Sequence, residues 1–420
     1  MSRKPVAAHL VAFATVAIDL LGFGIVLPLL PLYGDRLLGD VDPLWHGPII
    51  GLLLSSFSAM QFLCAPGWGR LSDRIGRRPV LMIGLGGSVV FYGLFAYASW
   101  IESLALLFVS RIGAGIAGAT IGTAQAVIAD STPPERRASG MALIGMAFGL
   151  GFTVGPVVGS FLAGTQAGLS PAPGLAAAGL SLAALLFAFM RLPETRPEGA
   201  RPRRSWLDWA SWRSALARRA TAVPLLLFFT ATLAFAIFEG TVARFARDVL
   251  LQDLEPAEQF QRLGLLFAYI GVVLMLTQGL LVRRLAPRIG EIAMTRYGLT
   301  LMIAGLLLAA IAVSDPADVS LSVWQGGTLI ILLAMALAVV GFAFLTPSLQ
   351  ALLSKRTSAW HQGETLGVNQ AAAAIARILG PLLGNSLYGS QTAPRPTWPL
   401  SAGSLLIGIA LVVGWSRLEE

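Results

Sequence analysis

The chain has 420 residues, 55% of them hydrophobic and only 12% charged, with a mean hydropathy of +0.73. A water-soluble domain carries about 25% charged residues, so this composition points to lipid as the solvent and argues against a soluble enzyme. The net charge of +8 does not sit on an aromatic-studded polar surface, which disfavours nucleic acid as a partner. Cys64 is alone and His9, His46 and His361 are scattered, so neither an internal disulfide nor a metal site is expected.

Apolar stretches of about 20 residues cross the hydrocarbon of a bilayer. Twelve are predicted, at 7–30, 47–68, 79–98, 104–128, 139–165, 173–190, 222–243, 263–282, 292–313, 325–348, 364–388 and 399–415, called spans 1 to 12 below.

Span 1 reads "AIDLLGFGIVLPLLPLY" and puts Asp19 about 18 Å along its axis, near mid-bilayer. A carboxylate there is costly unless it pairs, faces water or takes a proton. Asp19 is therefore expected to carry a coupling proton or touch cargo, or else to pair with an arginine or cap an irregular turn. Gly22 and Gly24 suit close helix approach, and Pro28 and Pro31 suit a bend. Between spans 2 and 3 lies "GRLSDRIGRRPV", residues 69–80. Gly69 and Gly76 are expected to turn the chain, and Asp73 and Arg77 to form an ion pair if the segment is helical. Arg70, Arg74 and Arg78 are placed to meet acids or helix C-termini. The cluster either latches one arrangement of the protein or serves topology alone.

Span 4 carries Arg111 in "LLFVSRIGAGIAGATIGTAQAVIAD", where it is expected to stabilise charge on Asp19 or on cargo, while Gly113, Gly115 and Gly118 form a packing surface. Span 5 carries "GPVVG" at 155–159. Residues 191–221 form a polar linker, with tryptophans at 206, 209 and 212 that suggest an interfacial amphipathic piece or a merely solvated stretch. Glu239 lies toward the outer end of span 7 as a second protonation site, cargo contact or gate acid. Arg377 lies deeper in span 11, for charge balance or cargo. Gln61, Gln125, Gln278 and Gln370 are expected either to reach a ligand or to join helices. Phe91, Tyr92, Phe229, Phe235 and Phe238 line an apolar surface or pack between helices.

The halves echo one another. "RIG" follows span 2 at 74–76 and span 8 at 288–290, and "GPVVG" of span 5 matches "GPLLG" at 380–384 of span 11. The expected division is a six-helix half over 1–190, a linker over 191–221 and a second half over 222–420. With both termini cytoplasmic, 23 Lys and Arg residues fall inside and five outside (Arg36, Arg244, Arg247, Arg262 and Arg395).

On these motifs the chain resembles the major facilitator superfamily, and within it the twelve-helix drug–proton antiporters of the tetracycline-efflux-like branch. "GRLSDRIGRRPV" is similar to the family's loop motif, with Gly69, Asp73, Gly76, Arg77 and Arg78 at its main positions, which implies an inner gate. Arg111 and Gly115 match the span 4 motif implicated in proton coupling. Gly151, Gly155, Pro156 and Gly159 resemble the span 5 antiporter motif, and Asp19 falls where the branch carries an acid. Ser160 and Phe91 depart from the pattern. Phe91 stands where the branch has an intramembrane aspartate, so tetracycline–metal recognition does not carry over.

The resemblance implies an all-α twelve-helix membrane protein with two six-helix halves. It would export small amphipathic compounds or drugs against protons by alternating access, in the plasma or inner membrane. Exporting an endogenous metabolite, or importing with protons, are the alternatives on the same fold. Proton coupling is expected at Asp19, Arg111 and Glu239. The cavity is expected at Gln61, Phe91, Gln125, Phe235, Gln278, Gln370 and Arg377. Gating and packing are expected at Gly69, Asp73, Arg74, Gly76, Arg77, Arg78, Gly115, Gly151, Gly155, Pro156, Gly159, Gly380, Pro381 and Gly384. The expected partners are a small molecule, protons and membrane lipids. The chain is expected to be a monomer without cofactor or metal, driven by the transmembrane proton gradient.

Overall fold

The computed structural model describes all residues except 1–7, 40, 132–136, 164–168, 196–211, 214–215, 314–325, 358–361, 390–393 and 419–420. Among the described residues nine helices are long and apolar enough to cross a membrane. The longest, Glu258–Ala312, is spans 8 and 9 joined at Gly290, whose φ of 78° breaks the helical path. Two shorter apolar helices, Gly149–Ala163 and Thr397–Val412, supply spans 5 and 12, so the described residues account for all twelve crossings. Their backbone polar groups are satisfied within each helix, as hydrocarbon demands.

The local irregularities have sequence causes. Span 1 runs from Ala8 to Val26, tightens into a 3-10 turn at Leu27–Leu29 around Pro28, and continues over Leu30–Leu37. Span 4 breaks between Leu104–Gly118 and Ile121–Asp130, where the Thr120 hydroxyl donates to the Ala117 carbonyl. Span 7, Arg219–Phe245, ends in a π-helical turn, Ala246–Leu250. Span 8 carries another at Thr277–Val282, which includes Gln278.

Chain packing divides the molecule into two compact units. One comprises Met1–Leu37, Ser56–Arg204 and Pro256–Gly271; the other comprises Leu38–Ser55, Ser205–Glu255 and Val272–Glu420. Within the first, span 1 packs on spans 5 and 6, and span 3 on spans 4 and 6. Within the second, span 7 packs on spans 11 and 12, and span 9 on spans 10 and 12. The pairing scheme is the same, and the two GPxxG motifs occupy equivalent contacts. Gly155 faces Gly24 so closely that an added Cβ would lie 2.6 Å from the Gly24 Cα, and Gly151 meets the Leu20 carbonyl just as tightly. Gly240 of span 7 meets Pro381 of span 11 in the same way, at 2.9 Å, with Gly380 against Ala236 and Gly384 against Ile237. Backbones in contact through small residues are how helices attract in lipid, where apolar burial gives no preference for protein over acyl chain.

Candidate functional site

The charged loop of the first unit is built around one guanidinium. Span 2, Pro43–Ile75, runs helical through Gly69 and stops at Gly76, whose φ is 108°. This corrects the expected turn at Gly69: it is a helical residue with no atom of the described residues within 4 Å of a Cβ placed there, because the turn needs a positive φ only at Gly76. Arg77 is buried and donates to Asp73 Oδ1 at 2.5 Å, to Ser72 Oγ at 2.6 Å and to Asp130 Oδ2 of span 4 at 3.4 Å. The ion pair spans the break rather than lying within one helix. Glu194, just past span 6, closes the other side. Its carboxylate accepts from the backbone N–H groups of Arg77 and Arg78 at 2.9 and 3.1 Å, capping the start of span 3. A side chain at Gly76 would run into that carboxylate. Arg78 donates to the Phe189 carbonyl at 2.8 Å, while Arg74 is exposed. Glu194 escaped sequence reading, although "LPET" at the end of a span was an available hint.

Asp19, half-buried on span 1, is held by hydroxyls. Ser181 of span 6 donates to its Oδ1 at 2.9 Å, and Ser88 of span 3 also hydrogen-bonds to it. Among the described residues no cation lies within ion-pair distance of it, so the expected Asp19–Arg111 contact is not a direct one here. Arg111 is 1% exposed. It lies over the Phe57 ring at 4.6 Å and the Phe23 ring at 5.7 Å, and among the described residues its Nε has no acceptor. Tyr92 is close enough to feel both Asp19 and Arg111. Cation–π attraction is worth about 2 kcal/mol when desolvated, whereas an uncompensated buried charge costs about 3–5 kcal/mol. The aromatic faces therefore orient Arg111 without balancing it.

Around Arg111 the helices touch. A Cβ at Gly115 would strike the Phe57 carbonyl, and one at Gly113 would strike the Phe91 ring. Phe91, expected in the cavity, thus has its ring seated on span 4. Gln61 donates to the Gly118 carbonyl at 3.2 Å, so it joins spans 2 and 4, and Gln125 is half-buried. Pro156 is buried inside span 5, and Gly159 packs on Ile25.

In the second unit Glu239 is half-buried on span 7 and Arg377 is exposed on span 11. They interact electrostatically without forming an ion pair among the described residues. Phe235, one turn before Glu239, stacks on Phe342 of span 10 with ring centroids 3.9 Å apart and also touches Phe238. Gln278 and Gln370 are exposed. Arg244, read from sequence as an outer loop residue, is instead fully buried in span 7. It donates to the Gly389 carbonyl at 2.8 Å and to Asn385 Oδ1 at 3.5 Å and lies over the Tyr388 ring. The Tyr388 hydroxyl in turn donates to Asp248 at 3.0 Å. Trp212 is half-buried and packs against Leu225, Leu353, Val368 and Ala372; Trp206 and Trp209 lie outside the described residues. No group of three or more metal-binding side chains occurs among the described residues.

The family model of the Major Facilitator Superfamily matches residues 12–331. A tetracycline resistance protein, class C, of Escherichia coli is 32% identical over 97% of this chain and 93% of its own. The crystal structure of the human organic anion transporter MFSD10 (TETRAN) is 27% identical and superposes with a TM-score of 0.66, covering 97% of this chain and 98% of that one. The nucleoside transporter NupG, at 17% identity, shares the fold alone, with a TM-score of 0.73 over 99% of both chains. Twelve crossings, two units of like packing and matches spanning the sequence agree: the chain belongs to the major facilitator superfamily, as an integral membrane transporter of the branch that includes the tetracycline resistance proteins.

Proposed function

We propose that the protein exports small amphipathic compounds in exchange for protons, by alternating access between two six-helix halves, 1–190 and 222–420, joined by the linker 191–221. The observation that carries this reading is Asp19: a carboxyl in the middle of a crossing helix, held by Ser181 and Ser88 rather than by a cation. Such a group can exchange a proton without breaking an ion pair, and protonation removes the charge that the hydroxyls stabilise. Each proton crossing the full potential supplies about 2.3 kcal/mol per 100 mV, enough to drive uphill export with no cofactor. Glu239 is the second protonation site, and Arg111 acts on Asp19 through Tyr92 rather than directly. The cluster of Asp73, Arg77, Asp130 and Glu194 belongs to the cytoplasmic gate. Both termini lie in the cytoplasm of a plasma or inner membrane, and the transporter works as a monomer.

The test is transport into proteoliposomes of defined orientation, with an imposed pH gradient and a panel of labelled amphipathic compounds. Wild-type protein accumulates cargo against its gradient and moves protons in the opposite direction. Asp19→Asn is expected to retain downhill exchange and lose gradient-driven accumulation by at least about tenfold, one pH unit's worth of driving force. Undiminished accumulation by the folded variant would refute the role of Asp19. Cargo and protons moving together would favour import instead.

A further inference from the structure

We propose that the turn between spans 8 and 9 is a binding site for an anionic phospholipid, with Arg283, Arg284 and Arg288 at its headgroup and Leu280 and Leu281 against its acyl chains. The site lies within the second unit and is independent of what the cargo is.

The arginines stand just past the last apolar turn of span 8. That turn is π-helical over Thr277–Val282, and the helix continues through all three arginines until Gly290, with its φ of 78°, breaks it. Each of the three is exposed, and among the described residues none donates a hydrogen bond or joins an ion pair. Glu291, the next acid along the chain, is occupied by Lys355 of span 10.

The matching turn of the first unit shows how protein groups satisfy such residues. There Arg77 has Asp73, Ser72 and Asp130, Arg78 has the Phe189 carbonyl and Arg70 has the Pro66 carbonyl. Aligned on the shared "RIG", Arg284 stands where Arg70 does, but Ala286 and Pro287 replace Ser72 and Asp73, and Glu291 replaces Arg77. The second turn thus keeps cations and lacks the side-chain acceptors, which leaves its donors to a partner outside the chain.

Depth and face identify that partner. Positions 280, 284 and 288 recur at every fourth residue and follow one another along one helical face. At a rise of 1.5 Å per residue, Arg284 and Arg288 lie about 6 and 12 Å beyond Leu280. Leu280 and Leu281 are exposed where the crossing ends. Apolar side chains exposed at that depth meet acyl chains, so the arginines that follow on the same face stand at the level of the headgroups. A guanidinium grips a phosphate through paired N–H donors. A headgroup without an ammonium leaves that attraction undiminished, which selects an anionic lipid over a zwitterionic one.

The test releases purified full-length protein from vesicles of equal parts phosphatidylglycerol and phosphatidylcholine and counts the retained lipids by native mass spectrometry. Each arginine at a charged headgroup is worth about fivefold in affinity, so wild-type protein is expected to retain phosphatidylglycerol by at least about tenfold. The triple variant Arg283→Gln, Arg284→Gln, Arg288→Gln should lose most of that preference, and the corresponding triple Lys variant should keep part of it. Melting in detergent verifies that both are folded. Equal retention of the two lipids, or an unchanged preference in the folded Gln variant, overturns the proposal. A second measurement needs no variant: phosphatidylglycerol with a photoactivatable acyl chain should label the segment 276–284 of wild-type protein, and labelling confined to other crossings overturns the site. Glycerol 3-phosphate and inorganic phosphate separate the lipid from a free phosphate. If either, at millimolar concentration, displaces the retained phosphatidylglycerol, the arginines take a soluble phosphate and the lipid assignment falls.

Discussion

Three oxygens from spans 2 and 4 converge on the Arg77 guanidinium, and Glu194 caps the backbone beside it. At this scale each contact has a separable cost. Arg77→Ala removes the cation that Asp73 and Asp130 share and is expected to destabilise the protein by about 3 kcal/mol in thermal or denaturant unfolding in detergent. Glu194→Ala removes only a cap and should cost about 1 kcal/mol in the same assay. A loss for Glu194→Ala as large as that for Arg77→Ala would mean that the carboxylate does more than cap. The Asp73–Arg77 pair was legible because its spacing of four residues is local. Glu194 and Ser181 were not, because they reach Arg77 and Asp19 across 117 and 162 residues of chain. Arg244 was misplaced for a related reason: hydropathy assigns a charge near a span's end to the loop, whereas here Asn385 of span 11 and the Gly389 carbonyl just past it let the helix keep it.

At the scale of the helix, the glycines divide into those that hold backbones together and those that do not. Gly155→Val and Gly240→Val would each drive a branched side chain into a neighbouring backbone and are expected to cost about 1–3 kcal/mol, lowering the melting temperature. Gly69→Ala should behave oppositely: the residue is helical and no atom of the described residues would meet its Cβ, so stability should be unchanged or rise by up to about 1 kcal/mol. Marked destabilisation by Gly69→Ala would show that another element closes on that face. The repeated GPxxG motif pointed to like positions in two halves. The partners of those motifs, Gly24 on one side and the Ala236–Gly240 stretch on the other, emerged only from packing. No residue in span 1 or span 7 announces which helix will lie against it.

For the whole molecule, the bias of 23 basic residues against five predicts a single orientation in the membrane. In a Cys64→Ser background, Arg74→Cys should react with a membrane-impermeant maleimide only from the cytoplasmic side, and Asp253→Cys only from the outside. Both reacting from one side would overturn the topology. The crossings themselves were readable residue by residue, because partitioning into hydrocarbon is a sum over about 20 neighbours in sequence and needs no knowledge of the fold. So were the rarity of charge and the places where a carboxylate or guanidinium would be costly. Which of those charges is satisfied was not readable. Among the described residues Arg77 and Arg244 find acceptors, and Arg111 meets aromatic faces instead. That outcome is set by which distant spans meet at each point, and only the tertiary structure brings them there.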